Sequence, residues 1–575
     1  MDRLPQEIYN EIGTWFADAE ENPRYALSSP LAVERPALAT ISRPWQQAIE
    51  KQTFRKLRLR STDLDRFEKA VTGSRRRFLN CIRFAIILPG YPAEARGRFE
   101  READRDANDK AFTDAVNGLF RILRSWDEGK DGRDTGYSIQ LDIEAVYSPT
   151  DDFHNGHNGC RGTPRRIERM DVAELENEDE VRRRDLQDRR FQYSYIRLLD
   201  PAKLPVVRAI TGFNTTVIKR RLAHRTAVDI AAKLPNLRSG SWFMDDTEQR
   251  YPAMRRFGRH QLAEVVRDVL PAAEALQTLH VCMNQDLLWN HAWLPADLTA
   301  AGEKPSDQET SSQGLSDSLG CAIREATSDL RNLKNLTVSG CLDESLLWPS
   351  RSSGPCLVEP FWQRLQRLDV QFNMTTPSGG WYFCARRPGD KVEPQLAARS
   401  TTLLPPGHGY SEDEDIAAAL RYSDSENQRL SGASMCLFRW VPDEESLVPL
   451  FEAFARVCSQ MPSLKVASLM TMVHVSLEVG AGRQVPTRSP WGVSYAAPGE
   501  IFAQQFQLDP AYRENGGQRR VLWDVKDWQP PAHLRSSLGD IGRERYGDEL
   551  SEKHVDFWAA VMKPRELSRF RCSYW

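Results

Sequence analysis

Two histidines and a cysteine at close spacing, in His154-Asn155-Gly156-His157-Asn158-Gly159-Cys160, are a set of side chains that could do chemistry. Imidazole and thiolate are zinc ligands, and Asp151 or Asp152 would supply a fourth donor. The stretch is rich in Gly and Asn, however, and no second His/Cys pair lies nearby to close the site, so a solvated loop is the better reading. Other catalytic signatures are missing. The sequence has no Gly-x-Ser-x-Gly elbow, no Gly-x-x-x-x-Gly-Lys-Ser/Thr phosphate cradle and no His-Glu-x-x-His. No Gly-x-Gly-x-x-Gly follows a predicted strand. Asp413 and Asp415 belong to an acidic surface loop, and Cys282, Cys341 and Cys436 sit in apolar strands as small core residues. His280 and His474 alternate within strands and read as surface or satisfied core histidines. Arg75-Arg76-Arg77 and Arg182-Arg183-Arg184 read as solvated faces. The expectation is a protein with no catalytic residues, no metal and no cofactor.

Composition narrows the class further. The chain has 575 residues, 40% hydrophobic, with 15 Trp, 15 Tyr and 23 Phe, enough for a sizeable core. Its net charge of −3 gives no bulk attraction for nucleic acid or an anionic membrane. Apolar runs such as Phe84-Ala85-Ile86-Ile87-Leu88 are too short to span a bilayer, and no basic and apolar leader opens the sequence. The 10 cysteines form no Cys-x-x-Cys pair, which suits reduced thiols. Sequons at Asn214, Asn335 and Asn373 then count as chance matches. A soluble cytoplasmic or nuclear protein is expected.

The elements that would position any site recur as strand and helix. Leu57-Arg58-Leu59 predicts a strand, and Ser61-Thr62-Asp63 a cap for the helix Leu64–Val71. Ile82–Leu88 and Tyr137–Ile143 predict further strands, with a helix from about Glu94 to Arg124 between them. Further on, an amphipathic helix, a tight turn and a Leu-x-x-Leu-x-Val strand repeat. First leucines fall at Leu234, Leu276, Leu333 and Leu365, and Leu450–Ser459 leads to another such unit at Met461–Leu469. Units of this kind bury their faces only against their neighbours. Regular leucine-rich repeats run about 20–29 residues; here only Leu333–Cys341 comes close, and the spacing is irregular. A plain α/β domain with helices on both faces of a parallel sheet is the alternative. Stretches near 148–190, 300–318 and 377–427 read as insertions. Gly492–Gly499 and Arg520–Trp528 predict two strands of a β ribbon, followed by a helix around Ser551–Val561.

The beginning of the chain carries the remaining signal. Leu4-Pro5-Gln6-Glu7-Ile8 opens a short helix, with Pro5 in its first turn, where a missing N–H costs nothing. Ile12, Trp15 and Phe16 continue its apolar face. Leu38-Ala39-Thr40-Ile41-Ser42-Arg43-Pro44-Trp45 and Ile49 supply two more short helices, with Ser42 as a cap and Pro44 in the first turn. So small a unit has more apolar surface than it can bury alone. The Leu-Pro-x-Glu-Ile start followed by Ser-x-x-Trp resembles the F-box. The order of Phe-Arg-x-Leu strand, irregular α/β repeats, Trp-Gly-Val and Leu-Trp-Asp-Val resembles a group of filamentous-fungal F-box proteins. The connection Ala17–Arg35 is longer than that family usually has, and Pro44 interrupts a helix that many members keep unbroken.

That resemblance implies a non-enzymatic substrate receptor that docks on the Skp adaptor of a cullin–RING ubiquitin ligase and holds an unidentified target protein. Leu4, Pro5, Ile8 and Ile12 of the first helix would contact the adaptor, together with Leu38, Ile41, Trp45 and Ile49. The expected architecture is α/β: an F-box-like three-helix module over 1–60, an irregular leucine-rich-repeat-like α/β solenoid over 61–480 and a β-ribbon/helix cap over 481–575. Two other readings stay open: a leucine-rich scaffold unconnected to ubiquitin, whose N-terminal helices only cap the core, and a hydrolase or transferase, which lacks a recognisable constellation.

Overall fold

The computed structural model describes residues 5–10, 39–92, 98–127, 136–151, 190–191, 193–216, 220–247, 252–284, 294–299, 317–349, 362–385, 407–409, 437–479, 483–502 and 516–554, with isolated positions 95, 291, 405 and 411. Mixed α/β structure is built on one sheet of 12 strands whose spatial order follows the chain. Strands β1 (Lys56–Arg60), β2 (Cys81–Ile87), β3 (Ile139–Tyr147), β4 (Ile210–Thr215), β5 (Ser239–Asp245), β6 (Thr278–Asn284), β7 (Asn335–Gly340) and β8 (Arg367–Phe372) pair in parallel. A small antiparallel pair, β9 (Phe383–Ala385) with β10 (Arg439–Pro442), interrupts the sequence but not the sheet. Strand β11 (Val466–Val479) then joins β8 in parallel, and β12 (Arg483–Ala496), β13 (Arg519–Asp524) and β14 (Leu550–His554) complete the sheet.

A parallel strand that always advances in one direction returns by right-handed crossovers, which puts every connecting helix on the same face. The helix contacts follow that rule. Helices α5 (Thr226–Ala231), α6 (Pro252–Val269) and α7 (Ser318–Ser328) pack in chain order, and α8 (Glu444–Ser459) packs on α9 (Ala532–Gly539). Burial in the strands alternates, as in β2, β5 and β8, where every second residue is buried and the rest are half-buried. A parallel sheet covered on both faces would be buried throughout. Here one face carries the core, a continuous cluster from Leu59 to Ile541, and the other is largely open.

The Leu-x-x-Leu units are structurally equivalent despite their uneven spacing. Before each strand a turn closes on itself: Leu237 N–H donates to Leu234, Leu276 to Ala273, Leu333 to Leu330, Leu365 to Trp362 and Leu464 to Met461. One carbonyl per unit then accepts two N–H groups of the next: Arg238 from Gln277 and Thr278, Gln277 from Lys334 and Asn335, Lys334 from Gln366 and Arg367, Gln366 from Lys465 and Val466. This repeated bond fixes the register, and it makes Leu237, rather than Leu234, the equivalent of Leu276. Gly240 stands opposite Leu279 where a second leucine is expected, because the indole of Trp242 fills that space; a Cβ on Gly240 would meet it at 3.1 Å.

Several sequence expectations shift. The long helix α4 runs Glu102–Asp127, starting later than Glu94, because the Asp104 carboxylate reaches back to accept from Arg101 N–H and caps it there. Ser61 does not cap the helix α2 (Leu64–Ala70); its hydroxyl accepts from Ile87 N–H instead. Residues Ser551–His554 are strand, not helix, since β14 pairs with β13 and Glu552 accepts from Trp523 Nε1 at 2.8 Å. The predicted ribbon strands are paired antiparallel, Gly492 with Asp524 through Ala496 with Arg520, and they belong to the main sheet. Cys282 and Cys341 are buried as expected; His154, His157, Cys160, Cys436, Asp413, Asp415 and Arg182–Arg184 lie outside the described residues. Among the described residues no helix is long and apolar enough to cross a membrane.

Candidate functional site

Among the described residues of the N-terminal module, an aromatic pair joins its first helical turn to the helix that carries Trp45. Residues 6–10 form a helical turn after Pro5, and α1 (Arg43–Thr53) follows an extended Ser42 with Pro44 in its first turn. Tyr9, only 1% exposed, meets Trp45 edge-on with ring centroids 5.3 Å apart. Gln6 Nε2 donates to Pro44 O at 3.1 Å. Ala48 and Ile49 are buried beneath. These contacts divide the predicted adaptor-binding set. Trp45 is half-buried against Tyr9 and Ile49 is buried; Pro5 is exposed, as are Ile8 at 39% and Ile41 at 58%. Leu4, Ile12 and Leu38 lie outside the described residues. Tyr9 was missed by periodicity because it falls off the face marked by Ile8 and Ile12, and an aromatic five residues after Leu4 was the available signal.

A second contact fastens this module to the sheet. Arg75, in the short helix α3 (Arg75–Phe78), donates to Glu50 of α1 at 2.7 Å and to Ala70 O at 3.0 Å, with its guanidinium 4.9 Å from the Phe54 ring. The Arg75 hydrogen bond holds the Glu50 carboxyl below the usual range. Arg76 stacks 5.2 Å over Trp126 of α4. The Arg75–Arg77 run is therefore not simply a solvated face: two of its three guanidinium groups cover aromatic rings.

The face opposite the core presents its residues in register, exposed at Arg58 and buried at Ser468 and Ser494. Arg58, Arg83, Asp142, Asn214, Ser241, His280, Thr337, Asp369, Ser468 and Ser494 stand side by side from β1 to β12. Ser241 Oγ lies 3.3 Å from His280 Nδ1, and the His280 ring contacts Phe243 edge-on. Burial lowers the His280 pKa, and Asp369 partly offsets this. A hydroxyl beside a neutral imidazole is half of an acyl-transfer site. The other half is not assembled here: Thr337 separates His280 from Asp369, which is already taken by Arg367 and by Ser468 Oγ at 2.6 Å. Neighbouring backbone N–H groups are committed to strand pairing.

Buried ion networks lie at the carboxyl ends of the strands. Arg220 donates to both Asp151 oxygens, at 2.8 and 3.0 Å, and to Glu100, with Phe191 stacked 4.1 Å away. Arg255 and Arg259 hold Asp246 at 3.0 and 3.1 Å, and Arg259 also binds Asp317, which caps α7. Burial alone would raise the Asp246 pKa, yet these cations hold it at about 2. Among the described residues Asp343 has no such cation, and burial with the charge of Asp317 pushes it up to about 7. Among the described residues no group of His, Cys, Asp and Glu gathers as a metal would require.

No family model matches this chain, and no curated protein matches it either. The functional case therefore rests on the molecule's own architecture. It consists of an N-terminal module with exposed isoleucines, clamped to a sheet with one open polar face.

Proposed function

We propose that the chain is a substrate receptor of a Skp–cullin–F-box ubiquitin ligase, and that strands β1 to β8 with their helices form an irregular leucine-rich solenoid. The observation that carries this reading is the exposure of Ile8 and Ile41 on a module whose Tyr9, Ala48 and Ile49 are buried. A module that only capped the core would turn its large aliphatic side chains inward. The mechanism is proximity. The adaptor takes the exposed isoleucines, the open face takes the target, and the Glu50–Arg75 contact keeps the two in fixed relation. Held this way, a target sees the ubiquitin-loaded enzyme at a raised effective concentration. The test is co-expression with a Skp adaptor: Ile8→Asp with Ile41→Asp should abolish co-purification while the thermal melt changes little. Undiminished capture would sink the reading. A scaffold unconnected to ubiquitin is the second reading, favoured by the Tyr9–Trp45 contact and the burial of Ile49, which a pure cap would also show.

A further inference from the structure

Strands β11 and β12 are the longest of the sheet, and they outrun their neighbours. They pair antiparallel from Val466 with Ala496 to Val479 with Arg483. Strand β8 accompanies β11 only from Val466 to Met470, and β13 accompanies β12 only from Gly492 to Ala496. Beyond these, the two strands continue as a ribbon that no other strand joins among the described residues. A two-stranded ribbon is marginally stable alone, and a third strand is what it needs. Its two outer edges are not equivalent. On the β12 side Lys465 O accepts from Ala497 N–H, whereas on the β8 side Val466 N–H donates to Gln366. In a strand this alternates, so odd residues of β11 bond β12 and even ones point outward. His474 N–H, outward by this count, donates to Met374 Sδ at 3.5 Å.

The residues of β12 that stand opposite these even positions point outward as well, and Pro486 and Pro490 are among them. Each lacks the N–H that an added strand would take, so that edge is guarded. The β11 edge has no such guard: past His474 its outward positions are Ser476 and Glu478, which carry both N–H and C=O. We propose that this edge pairs with the same edge of a second copy of the chain, giving a four-stranded antiparallel arm with a two-fold axis at Leu477. A two-fold contact must fit itself, and that decides the register. Centring on Ser476 would take His474 N–H from Met374. Centring on Glu478 would set two carboxylates opposite each other, which destabilises a sheet. Centring on Leu477 places Ser476 of one copy opposite Glu478 of the other, twice over. It also places Val475 opposite Val479 and Leu477 opposite itself, so that apolar positions share one face and polar positions the other. Charge complementarity selects this register. The paired segments, Val475–Val479 in each copy, are short. The interface therefore falls at the small end of specific contacts, below about 1,200 Å², and the dimer is reversible.

Self-association needs no ubiquitin ligase and is measured on the full chain by light scattering, from about 1 to about 100 μM. The mass should rise with concentration from that of the monomer towards twice that value. Ser476→Pro copies the guard of β12 onto β11. It removes an outward N–H and none of the ribbon's own bonds, so self-association should be lost while the thermal melt changes little. Leu477→Cys gives a second readout that does not depend on that proline being tolerated. The residue would stand opposite itself with Cα atoms about 4.5 Å apart, within disulfide reach. Mild oxidation should link two Leu477→Cys chains, while Thr487→Cys on β12 should link no more than the parent. A chain monomeric throughout the range, undiminished association of a well-folded Ser476→Pro variant, or cross-linking at position 487 in place of 477 would each overturn the proposal.

Discussion

The two ends of the sheet treat the same face in opposite ways. Over β11, β12 and β13 it bears Met470, Ala496 and Leu522, and the chain folds back to bury them under Phe502. Arg520 stacks 4.8 Å over that ring and donates to Glu500 O, while Lys465 pairs with Glu500 at 3.0 Å. Over β1 and β2 the face bears Arg58, Arg60 and Arg83, and nothing among the described residues closes over it. The chain covers what water would penalise and leaves open what water tolerates. Arginine makes the contrast measurable, because Arg220 is 2% exposed with both partners buried, whereas the Arg58 side chain is 50% exposed. Removing Arg220 strands Glu100 and Asp151 in a dry site. Arg220→Ala should cost about 3–5 kcal/mol in chemical denaturation, and Arg58→Ala less than about 1 kcal/mol. Equal losses would mean that the network around Arg220 is wet, and that the distinction between covered and open ends is not one of solvation.

The cover itself is the next thing to remove. Phe502 is 3% exposed and closes a cluster of four residues separate from the main core. Phe502→Ala should destabilise by about 3 kcal/mol, at the lower end of the usual cost for a buried aromatic because a surface cluster can partly collapse. It should also raise binding of a hydrophobic dye, since Met470 and Leu522 come into contact with water. A variant as stable as the parent would show that Phe502 rests on the face without holding it.

What the sequence disclosed follows from range. The Leu-x-x-Leu strands were legible because a turn, a leucine and an alternating strand are all local, and the register ladder from Arg238 to Gln366 repeats that local pattern. The exact unit boundary was not, since Trp242 substitutes for a leucine across Gly240. The strand at Leu550–His554 looked helical because its pairing with β13 is a tertiary fact, and the start of α4 depended on one carboxylate at Asp104. Asp151 and Arg190 fell in a stretch that read as an insertion, yet both are 2% exposed, tied to Arg220 and to Asp104. No spacing rule links Glu100 to Arg220. At the candidate site, Ile8, Ile41, Trp45 and Ile49 were marked by apolar spacing together with the resemblance to the F-box. Which of them face outward was decided by Tyr9, and the charge of the open face by a register that brings Arg83 beside Arg58.

The middle of the face, between covered and charged ends, gives the smallest effect and the finest discrimination. His280 is half-buried against Phe243 and Ser241, and burial lowers its pKa below the ordinary 6.5. The unfolded chain therefore takes up a proton at this residue before the folded chain does. Its contribution is complete above about pH 6.5 and is lost as the pH falls through that value towards the folded pKa. Comparison of His280→Gln with the parent between about pH 7.5 and about pH 5.5 should show the variant losing less stability on acidification, by roughly 1 kcal/mol or less. Asp369 opposes the shift by favouring the charged ring, so Asp369→Asn should enlarge the acid loss in the parent background. If both variants acidify like the parent, His280 is as solvated as Arg58, and the open character of the basic end extends across the middle of the sheet.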